Sequence, residues 1–335
     1  MSFLDILRIA ADGRELSLRE METALREMFD GDVPEAQGAG FLTALRVRGE
    51  TTEELLAAIR FLKIRARVIA SPEGAVDCCG TGGDGISTVN ISTAVALVAA
   101  GAGVPVAKHG SRAVTSKSGS SEVLSQLGVD LTESVETQER RLAEDGIAFL
   151  FAPNHHPALA KVAPLRKDLG LRTMFNILGP MMNPAQTKRQ LLGVFDQGLA
   201  PRFAEVLRAE GSERAWIVHG AGGMDELSLA GGNEVTELKD GSIRSFVIAP
   251  EDAGLARQPN EALVGGTPAE NAAALRSLLD GAPGPYRDVV LLNTAATLIV
   301  AGLTDDLRAA VDLAARSIDS GAARGKLQLI ASPKT

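Results

Sequence analysis

The sequence contains little cysteine and few aromatic residues. Its only cysteines are the adjacent Cys78 and Cys79, and neighbouring side chains of a strand point to opposite faces, which argues against a disulfide between them. Two cysteines at this spacing do not form a zinc site either. Aromatic residues make up 4% of the chain, so a core must be mostly aliphatic. We expect both cysteines to be small buried side chains, and we expect the protein to lie in a reducing compartment.

Long hydrophobic runs and an excess of positive charge are also absent. The longest apolar stretches, such as residues 94–107, are too short and too rich in glycine to span a bilayer, and the N-terminus lacks the pattern of a signal peptide. The formal net charge is −8. Because general nucleic-acid binding needs a basic surface that neutralises phosphates, we expect no nucleic-acid partner. We expect a soluble cytoplasmic protein with no membrane partner.

The first seventy residues read as helices. Residues 17–20 form a capping-box pattern that begins one helix, and Gly31 suits its end. Pro34 suits the first turn of a second helix, and residues 51–54 begin a third. We therefore predict a helical N-terminal domain of residues 1–70.

The pattern changes after Pro72. Short apolar runs alternate with helical patterns, as in a parallel α/β unit, and the residues from 158 to 179 look helical again. This alternation predicts an α/β domain of residues 71–335 with a mainly parallel central sheet. Helices within residues 158–185 are expected to join the helical domain. The predicted strands are residues 75–79, 104–107, 147–151, 190–195 and 215–219.

Glycine, charged residues or histidine follow four of these five strands. Ligands of open α/β sheets gather at the carboxyl ends of the strands, so these residues are candidates for a binding site. They are residues 80–84, 108–112 and 153–156, and His219 and Gly220 with Asp225 and Glu226 just beyond.

The glycine-rich segment of residues 80–85 has the spacing G-x-G-x-x-G. A dinucleotide site also needs an acid about twenty residues further on, but no acid occurs between Asp84 and Glu122, and no Gly-Lys-Ser/Thr follows as in a P-loop. What remains is a turn with exposed N–H groups, followed by polar residues 87–93 and an apolar helix. Such a helix start favours phosphate, although an ordinary tight turn with an N-cap explains this segment about as well.

The segment after the second strand adds positive charge to an acidic protein. Lys108, His109, Arg112 and Lys117 lie among glycine and hydroxyl residues that let backbone donors approach a ligand. Cations and backbone donors together suit a ligand with several phosphates, which explains the segment better than a solvated basic loop.

The adjacent acids Asp225 and Glu226 are the candidate metal site. Magnesium commonly binds through one or two carboxylates together with substrate phosphates, so a nearby phosphate site favours this interpretation over an ordinary surface pair. None of the four histidines has metal-ligand spacing. No arrangement of residues argues for a covalent nucleophile.

The motifs, in their order along the chain, resemble those of the anthranilate phosphoribosyltransferase family. They comprise residues 80–84, 90–93, 108–112, 118–120, 151–157, 162–166, 172–180 and 220–227. The resemblance implies the nucleoside phosphorylase-like (class III/IV) phosphoribosyltransferase fold, with a helical domain joined to an α/β domain, and a homodimer. It also implies a Mg²⁺-dependent transfer of the phosphoribosyl group of phosphoribosyl pyrophosphate to the amine of anthranilate, with release of pyrophosphate, in tryptophan biosynthesis.

The resemblance also assigns residues to the substrates and the metal. Magnesium would be held by Ser92, Asp225 and Glu226, and anthranilate would contact Gly80, Ser111 and Arg166. Phosphoribosyl pyrophosphate would be bound by Gly80, Gly83, Asp84, Thr88, Asn90, Ile91, Ser92, Thr93, Lys108, His109, Gly110, Ser111, Arg112, Ala113, Val114, Thr115, Ser116 and Ser120.

Position 111 departs from the family pattern, which usually has asparagine there. Serine is shorter and lacks the amide donors, and this weakens the anthranilate assignment at Ser111. A smaller departure falls at residues 222–224, where an acid is common. His109 or His156 could line the acceptor pocket, and a structural role suits them equally.

Two other functions are weighed against this one. A pyrimidine nucleoside phosphorylase of the related fold would use phosphate as the nucleophile, but the shorter chain and the paired motifs of residues 80–84 and 90–93 argue against it. A non-catalytic relative that binds nucleic acid is disfavoured by the net charge of −8 and by the retention of Asp225 and Glu226.

Overall fold

The computed structural model describes residues 1–111 and 118–331. A central sheet of seven strands organises this part of the chain. The strands are β1 (Val76–Gly80), β2 (Val106–Gly110), β3 (Ile147–Phe151), β4 (Arg189–Gly193), β5 (Arg214–His219), β6 (Asn233–Lys239) and β7 (Ser242–Ile248). Their order in the sheet is β3-β2-β1-β4-β5-β6-β7.

Five neighbouring strands of the sheet, β3, β2, β1, β4 and β5, run parallel, and β1 lies in the middle of them. The prediction of a mainly parallel central sheet is confirmed. The five predicted strands lie within three residues of β1 to β5 at either end. The largest shift is in β2, which continues to Gly110 because its pairing with β3 extends to Phe151. Lys108 and His109 therefore lie on a strand and not in the loop after it.

No strand was predicted beyond residue 219, and this was wrong. β6 pairs antiparallel with β5, and β7 pairs antiparallel with β6, so a hairpin extends the sheet at one edge. Asp240 and Gly241 stand between the two strands, both with positive φ. Asp-Gly is a favoured hairpin turn, because both central residues of such a turn take left-handed conformations.

Helices precede the sheet and pack on both of its faces. No helix within residues 1–111 and 118–331 is long and apolar enough to cross a membrane. In chain order the α-helices are α1 (Phe3–Ala11), α2 (Leu18–Asp30), α3 (Glu35–Arg48), α4 (Thr52–Lys63), α5 (Ile91–Gly101), α6 (Ser120–Gln126), α7 (Val135–Arg140), α8 (Ala152–His155), α9 (Ala163–Leu169), α10 (Met174–Ile177), α11 (Ala200–Ala209), α12 (Pro268–Leu279), α13 (Pro285–Ala301), α14 (Leu307–Asp319) and α15 (Ala322–Ala331).

The N-terminal helices begin at the residues that the capping patterns indicate. Ser17 caps α2 and Thr51 caps α4, each in a capping box with the glutamate three residues later. Gly31 follows α2 as its C-cap. Pro34 is the N-cap of α3 and does not lie in its first turn, a shift of one residue from the prediction.

The predicted helical stretch of residues 158–179 is divided into short pieces. A 3-10 turn (Pro157–Lys161) is followed by α9, α10 and a second 3-10 turn (Gly179–Met181). Gly170 ends α9 in a left-handed conformation, which a helix cannot continue. The chain therefore changes direction in this region instead of continuing as one helix.

Two large buried cores flank the sheet, because alternate residues of each strand point to opposite faces, and a smaller buried cluster lies against β2 and β3. Trp216 packs in the core that contains α5 and α13, whereas its neighbour Ile217 packs in the other. That second core also contains Ile59 of α4, Phe203 of α11 and Phe175 of α10. The N-terminal helices are thus fixed to the same sheet that carries the predicted site residues.

Candidate active site

A cleft of about 350 Å³ lies at the carboxyl ends of β1 and β2, a volume that suits a small-molecule ligand. The glycine-rich turn forms one wall, and residues from the region 152–182 form another. The cleft collects most of the residues that the resemblance assigns to substrates and metal. Those in its wall are Gly80, Gly83, Asp84, Thr88, Asn90, Ile91, Ser92, Lys108, His109, Gly110, Ser111, Ser120, Arg166, Asp225 and Glu226.

Six assigned residues are not in this wall. Thr93 is fully buried behind it, where its hydroxyl donates to Ser120 Oγ at 2.9 Å, so its side chain supports the wall. The other five lie outside the described residues: Arg112, Ala113, Val114, Thr115 and Ser116.

The turn after β1 needs glycine for two physical reasons. Gly82, Gly83 and Gly85 have positive φ, a conformation that other residues rarely adopt. Gly80 lies so close to Asp225 that an added Cβ would overlap the carboxylate. The turn can therefore bring backbone N–H groups directly against an acid from a distant part of the chain.

Two backbone N–H groups hold the acid pair. Gly82 N donates to Asp225 Oδ2 at 2.6 Å. Ser92 N, in the first turn of α5, donates to Glu226 Oε1 at 3.1 Å. A carboxylate is favourable at a helix N-terminus, because it meets unpaired donors and the positive end of the helix dipole. The sequence signals for the glycine turn, the helix start and the acid pair therefore converge on one place.

Three acids lie near one another in this part of the cleft. Burial raises the pKa of Asp225, and the charge of Asp84 raises it further. Burial, followed by the charge of Asp225, raises the pKa of Glu226 well above its usual range. Burial also raises the pKa of Asp84. Like charges that share a site are unfavourable, and a bound cation would relieve the repulsion.

The oxygen donors here suit magnesium as part of a larger coordination shell. Within the two described ranges, no group of three or more His, Cys, Asp or Glu side chains is arranged to hold a metal by itself. Magnesium takes oxygen ligands and usually keeps waters or phosphate oxygens beside one or two carboxylates. Ser92, Asp225 and Glu226 in the wall of one cleft fit such a partial set. Their role as metal ligands stays a prediction.

Lys108 places a positive charge in the wall of the cleft. It lies on β2, its side chain is 2% exposed, and its Nζ donates to the Cys78 carbonyl oxygen at 3.0 Å. An ammonium group has three donors, and a buried one needs partners for them. This position suits an anionic ligand that enters the cleft beside β1.

Two histidines form an uncharged aromatic surface in the cleft. His109 and His156 stack edge to face, with ring centroids 5.1 Å apart. His109 Nδ1 lies 3.1 Å from the Gly179 carbonyl oxygen, so Nδ1 carries the proton and donates it. Burial lowers the pKa of His109 to about 3 and that of His156 to about 4. Both rings are therefore neutral at pH 7.

Arg166 extends from α9 into the same cleft. Its Nε is buried and has no hydrogen-bond partner within the described residues, and burial lowers the pKa of the guanidinium. The guanidinium carbon lies 5.8 Å from the centroid of the Phe175 ring. A guanidinium in this position suits a carboxylate, which it can bind by two parallel hydrogen bonds.

Arg172 was not predicted as a site residue. Its Nη2 donates to the Gly83 carbonyl oxygen, and its guanidinium carbon lies 4.6 Å from the centroid of the Phe195 ring. It therefore ties the segment between α9 and α10 to the glycine turn. The available signal was a single positive charge at the head of the otherwise uncharged motif of residues 172–180.

Ser111, where the sequence departs from the family pattern, is exposed in the wall of the cleft just after β2. The change from asparagine to serine therefore falls on the surface that a ligand would meet.

Two family models match the chain. The helical bundle domain of the glycosyl transferase family matches residues 4–64, and the a/b domain of the glycosyl transferase family matches residues 72–324. The chain is 50% identical to the anthranilate phosphoribosyltransferase of Rhodopseudomonas palustris (strain HaA2) over 328 residues, which are 98% of this chain and 97% of the relative. It is 48% identical to that of Azorhizobium caulinodans, over 98% of this chain and 96% of the relative.

Solved structures agree with these sequence matches. The anthranilate phosphoribosyltransferase of Thermus thermophilus has a TM-score of 0.91 at 42% identity, with 98% of each chain covered. That of Saccharomyces cerevisiae in complex with phosphoribosyl pyrophosphate and Mg has a TM-score of 0.89 at 29% identity, with 97% of this chain and 96% of that chain covered. The same yeast protein in complex with 4-fluoroanthranilate has a TM-score of 0.87 at 27% identity, with 98% of each chain covered.

These matches confirm the predicted fold class and the resemblance on which the function was inferred. The chain belongs to the anthranilate phosphoribosyltransferase family, the transferases that move the phosphoribosyl group of phosphoribosyl pyrophosphate onto anthranilate in tryptophan biosynthesis.

Proposed function

We propose that this chain carries out its family's transfer in the cleft at the ends of β1 and β2, with Mg²⁺ bound by Ser92, Asp225 and Glu226. The observation that carries this proposal is the composition of the cleft's two sides. One side contains the acid pair, the buried Lys108 and the N-terminus of α5. The other side contains Arg166 and the neutral rings of the two histidines. The first suits phosphates with a metal, and the second suits a small aromatic carboxylate.

On the donor side, the protein stabilises the leaving pyrophosphate. The glycine turn and the start of α5 line the cleft, and Lys108 adds a positive charge. N–H groups of these segments that do not bind the acid pair would donate to phosphate oxygens. As the bond to the sugar carbon breaks, negative charge grows on pyrophosphate and the sugar becomes oxocarbenium-like, so preorganised donors lower the barrier. Bound Mg²⁺ would neutralise the same oxygens. The yeast complex with phosphoribosyl pyrophosphate and Mg supports this assignment.

On the acceptor side, the protein positions the amine and does not need to deprotonate it first. An aromatic amine is uncharged at neutral pH, and His109 and His156 are neutral as well. Arg166 would bind the anthranilate carboxylate, and the two imidazole rings would face the aromatic ring. Holding the amine against the sugar carbon supplies much of the rate. The yeast complex with 4-fluoroanthranilate supports a ring site of this kind.

Three broader properties belong to the same proposal. The family resemblance supports a homodimer, and Val47 and Ile64 are exposed apolar side chains of the kind that a partner covers. The core that joins α1–α4 to Phe175 supports a helical unit of residues 1–70 with helices from residues 158–185, beside an α/β domain of residues 71–335. The biosynthetic role of the relatives supports a cytoplasmic location.

The fluorescence of anthranilate provides the direct test. The purified protein, mixed with magnesium, phosphoribosyl pyrophosphate and anthranilate, should remove that fluorescence, and EDTA should stop the loss. A pyrimidine nucleoside phosphorylase would instead release the base from thymidine or uridine in the presence of phosphate. Stable fluorescence together with cleavage of thymidine would replace the proposal with that alternative.

Arg166→Ala should raise the KM for anthranilate at least about tenfold and the KM for phosphoribosyl pyrophosphate less than about threefold, because only the carboxylate contact is lost. Arg166→Lys keeps the charge but not the two-point geometry, so an intermediate effect is expected. Steady-state kinetics with each substrate varied in turn measures both constants. Lys167→Ala, on the exposed neighbour in α9, is the matched control. An equal rise in both KM values would contradict the assignment.

A further inference from the structure

A segment outside the substrate motifs holds the chain that leads into α5. This segment, called the strap here, comprises residues 263–271 and runs from the end of a 3-10 helix into the first turn of α12. Val89 N donates to the Leu263 carbonyl oxygen at 2.9 Å, and Gly265 N donates to the Ser87 carbonyl oxygen at 2.7 Å. The strap therefore pairs, strand-like, with residues in the wall of the cleft.

Asn90, the N-cap of α5, is held at three atoms. Its side-chain Oδ1 accepts from Asn271 Nδ2 at 2.9 Å, and its Nδ2 donates to the Ser118 carbonyl oxygen at 3.3 Å. Its backbone oxygen accepts from the Tyr286 hydroxyl at 3.1 Å. The side chain of Asn90 thus has a defined orientation without any ligand.

The partners of these two side-chain amides determine which way each one faces. Gly266 N can only donate, and it donates to Asn271 Oδ1 at 2.8 Å. Asn271 must therefore turn its NH₂ group toward Asn90. Asn90 in turn presents its oxygen to Asn271 and its NH₂ group to the Ser118 carbonyl. Asn271 is 3% exposed, so water does not compete for these bonds.

The strap also fits closely at its midpoint. A Cβ added to Gly265 would lie 2.7 Å from the Thr88 carbonyl oxygen and 3.0 Å from Asn271 Nδ2. Contacts this short are not tolerated, so the strap approaches the cleft wall as closely as its backbone allows. A shift of the strap would therefore also shift that wall.

We propose that Asn271 is a positioning residue for phosphoribosyl pyrophosphate: it orients the Asn90 amide and, through it, the Ser118 carbonyl two residues before Ser120 in the cleft wall. The inference rests on the proposed function, because it takes this side of the cleft to be the phosphoribosyl pyrophosphate site. Asn271 touches no substrate and acts through Asn90.

Asn271→Asp and Asn271→Ala distinguish a role in orienting the Asn90 amide from a role in filling space in the core. Aspartate keeps the size and the acceptor for Gly266 N, but it directs an oxygen at Asn90 Oδ1. If Asn90 turns over to donate to the carboxylate, its own oxygen then faces the Ser118 carbonyl. Alanine leaves Asn90 Oδ1 without a partner but preserves the bond to Ser118.

Aspartate is therefore expected to have the larger effect on substrate binding. The KM for phosphoribosyl pyrophosphate should rise about tenfold in N271D and about threefold in N271A, because opposed acceptors cost more than one lost hydrogen bond. The kcat and the KM for anthranilate should change less than about twofold. A purely structural side chain would give the reverse order, since aspartate has the shape of asparagine and alanine leaves a cavity.

Two further variants test whether charge or misfolding explains the effect of N271D. Ala269→Asp adds the same charge at an exposed position in the first turn of α12, where the helix dipole favours an acid, and should leave all constants unchanged. A tenfold rise in that control would assign the N271D effect to charge and overturn the proposal. Asn271→Leu is neutral and similar in size, and it decides the matter if N271D does not fold. A KM for phosphoribosyl pyrophosphate raised at least as much as in N271A supports the proposal, and a wild-type value overturns it.

The activity of the native chain distinguishes failure of the proposed function from failure of the role of Asn271. If the native chain does not consume anthranilate, the proposed function fails. If the native chain is active and N271D is kinetically unchanged, or less affected than N271A, only the role of Asn271 fails.

Discussion

Replacing Asp225 with asparagine and Glu226 with glutamine together is expected to lower kcat/KM by at least about a thousandfold, even at saturating magnesium. The amides preserve shape and still offer an oxygen to the N–H groups of Gly82 and Ser92, but they remove the negative charges that would hold the cation. Activity titrated with magnesium chloride measures the effect. The native chain should respond strongly to the metal and the variant hardly at all.

The same variant is expected to be at least as stable as the native chain at neutral pH, because burial and mutual repulsion raise the pKa of both acids and so oppose folding above their ordinary pKa values. Thermal unfolding without magnesium tests this and separates lost chemistry from lost folding. Glu251→Gln combined with Asp252→Asn, an adjacent acid pair on the exposed surface, is the matched control and should keep full activity. A double variant at the cleft that retains native activity and a native magnesium response would refute the metal assignment.

Gly193→Ala is expected to have the largest effect of any single methyl group on this side of the sheet. Gly193 ends β4 beside Gly80 of β1, and an added Cβ would overlap the Asp225 carbonyl oxygen. The backbone at Asp225 would have to move, at a cost of about 3 kcal/mol in the free energy of unfolding. A displacement of about 1 Å at the acid pair should also lower kcat about a hundredfold. Denaturant unfolding and steady-state kinetics measure the two effects.

The control for this variant is a glycine with room for a side chain. Gly325 lies within α15, and an added Cβ there meets nothing within 4 Å, so Gly325→Ala should keep full activity and native or higher stability. Native stability and activity in Gly193→Ala would mean that the backbone at Asp225 moves freely. The close packing of Gly193 would then have no part in placing Asp225.

The parts of the fold that could be predicted are those where local signals agree with the final packing. The helices after Ser17 and Thr51 begin with capping boxes, and β1 to β5 are largely buried strands that each contain apolar residues. The hairpin of β6 and β7 was missed because β7 is largely exposed and shows little alternation of buried and exposed residues. Its turn at Asp240 and Gly241 carried a usable signal, because Asp-Gly is typical of two-residue hairpin turns.

The candidate site was predictable in composition but not in its internal contacts. Motifs identified the glycine turn, Lys108, Arg166 and the acid pair, and the structure gathers them in one cleft. Which N–H group meets which carboxylate depends on how the strands are ordered in the sheet. Arg172 was missed for the same reason, because its partner Gly83 is 89 residues away along the chain. Spacing in sequence does not specify such long-range pairs.

The two hydrogen bonds that hold the acid pair have a consequence for folding. They join residues 143 and 134 positions apart, so neither can form before β1, β4 and β5 are assembled side by side. Contacts of such long range come late, because their loop-closure entropy must first be overcome. A partly folded chain would therefore lack the proposed magnesium site, and substrate would bind only the completed molecule. By mass action, phosphoribosyl pyrophosphate bound at the proposed site would favour the folded chain over every incomplete form.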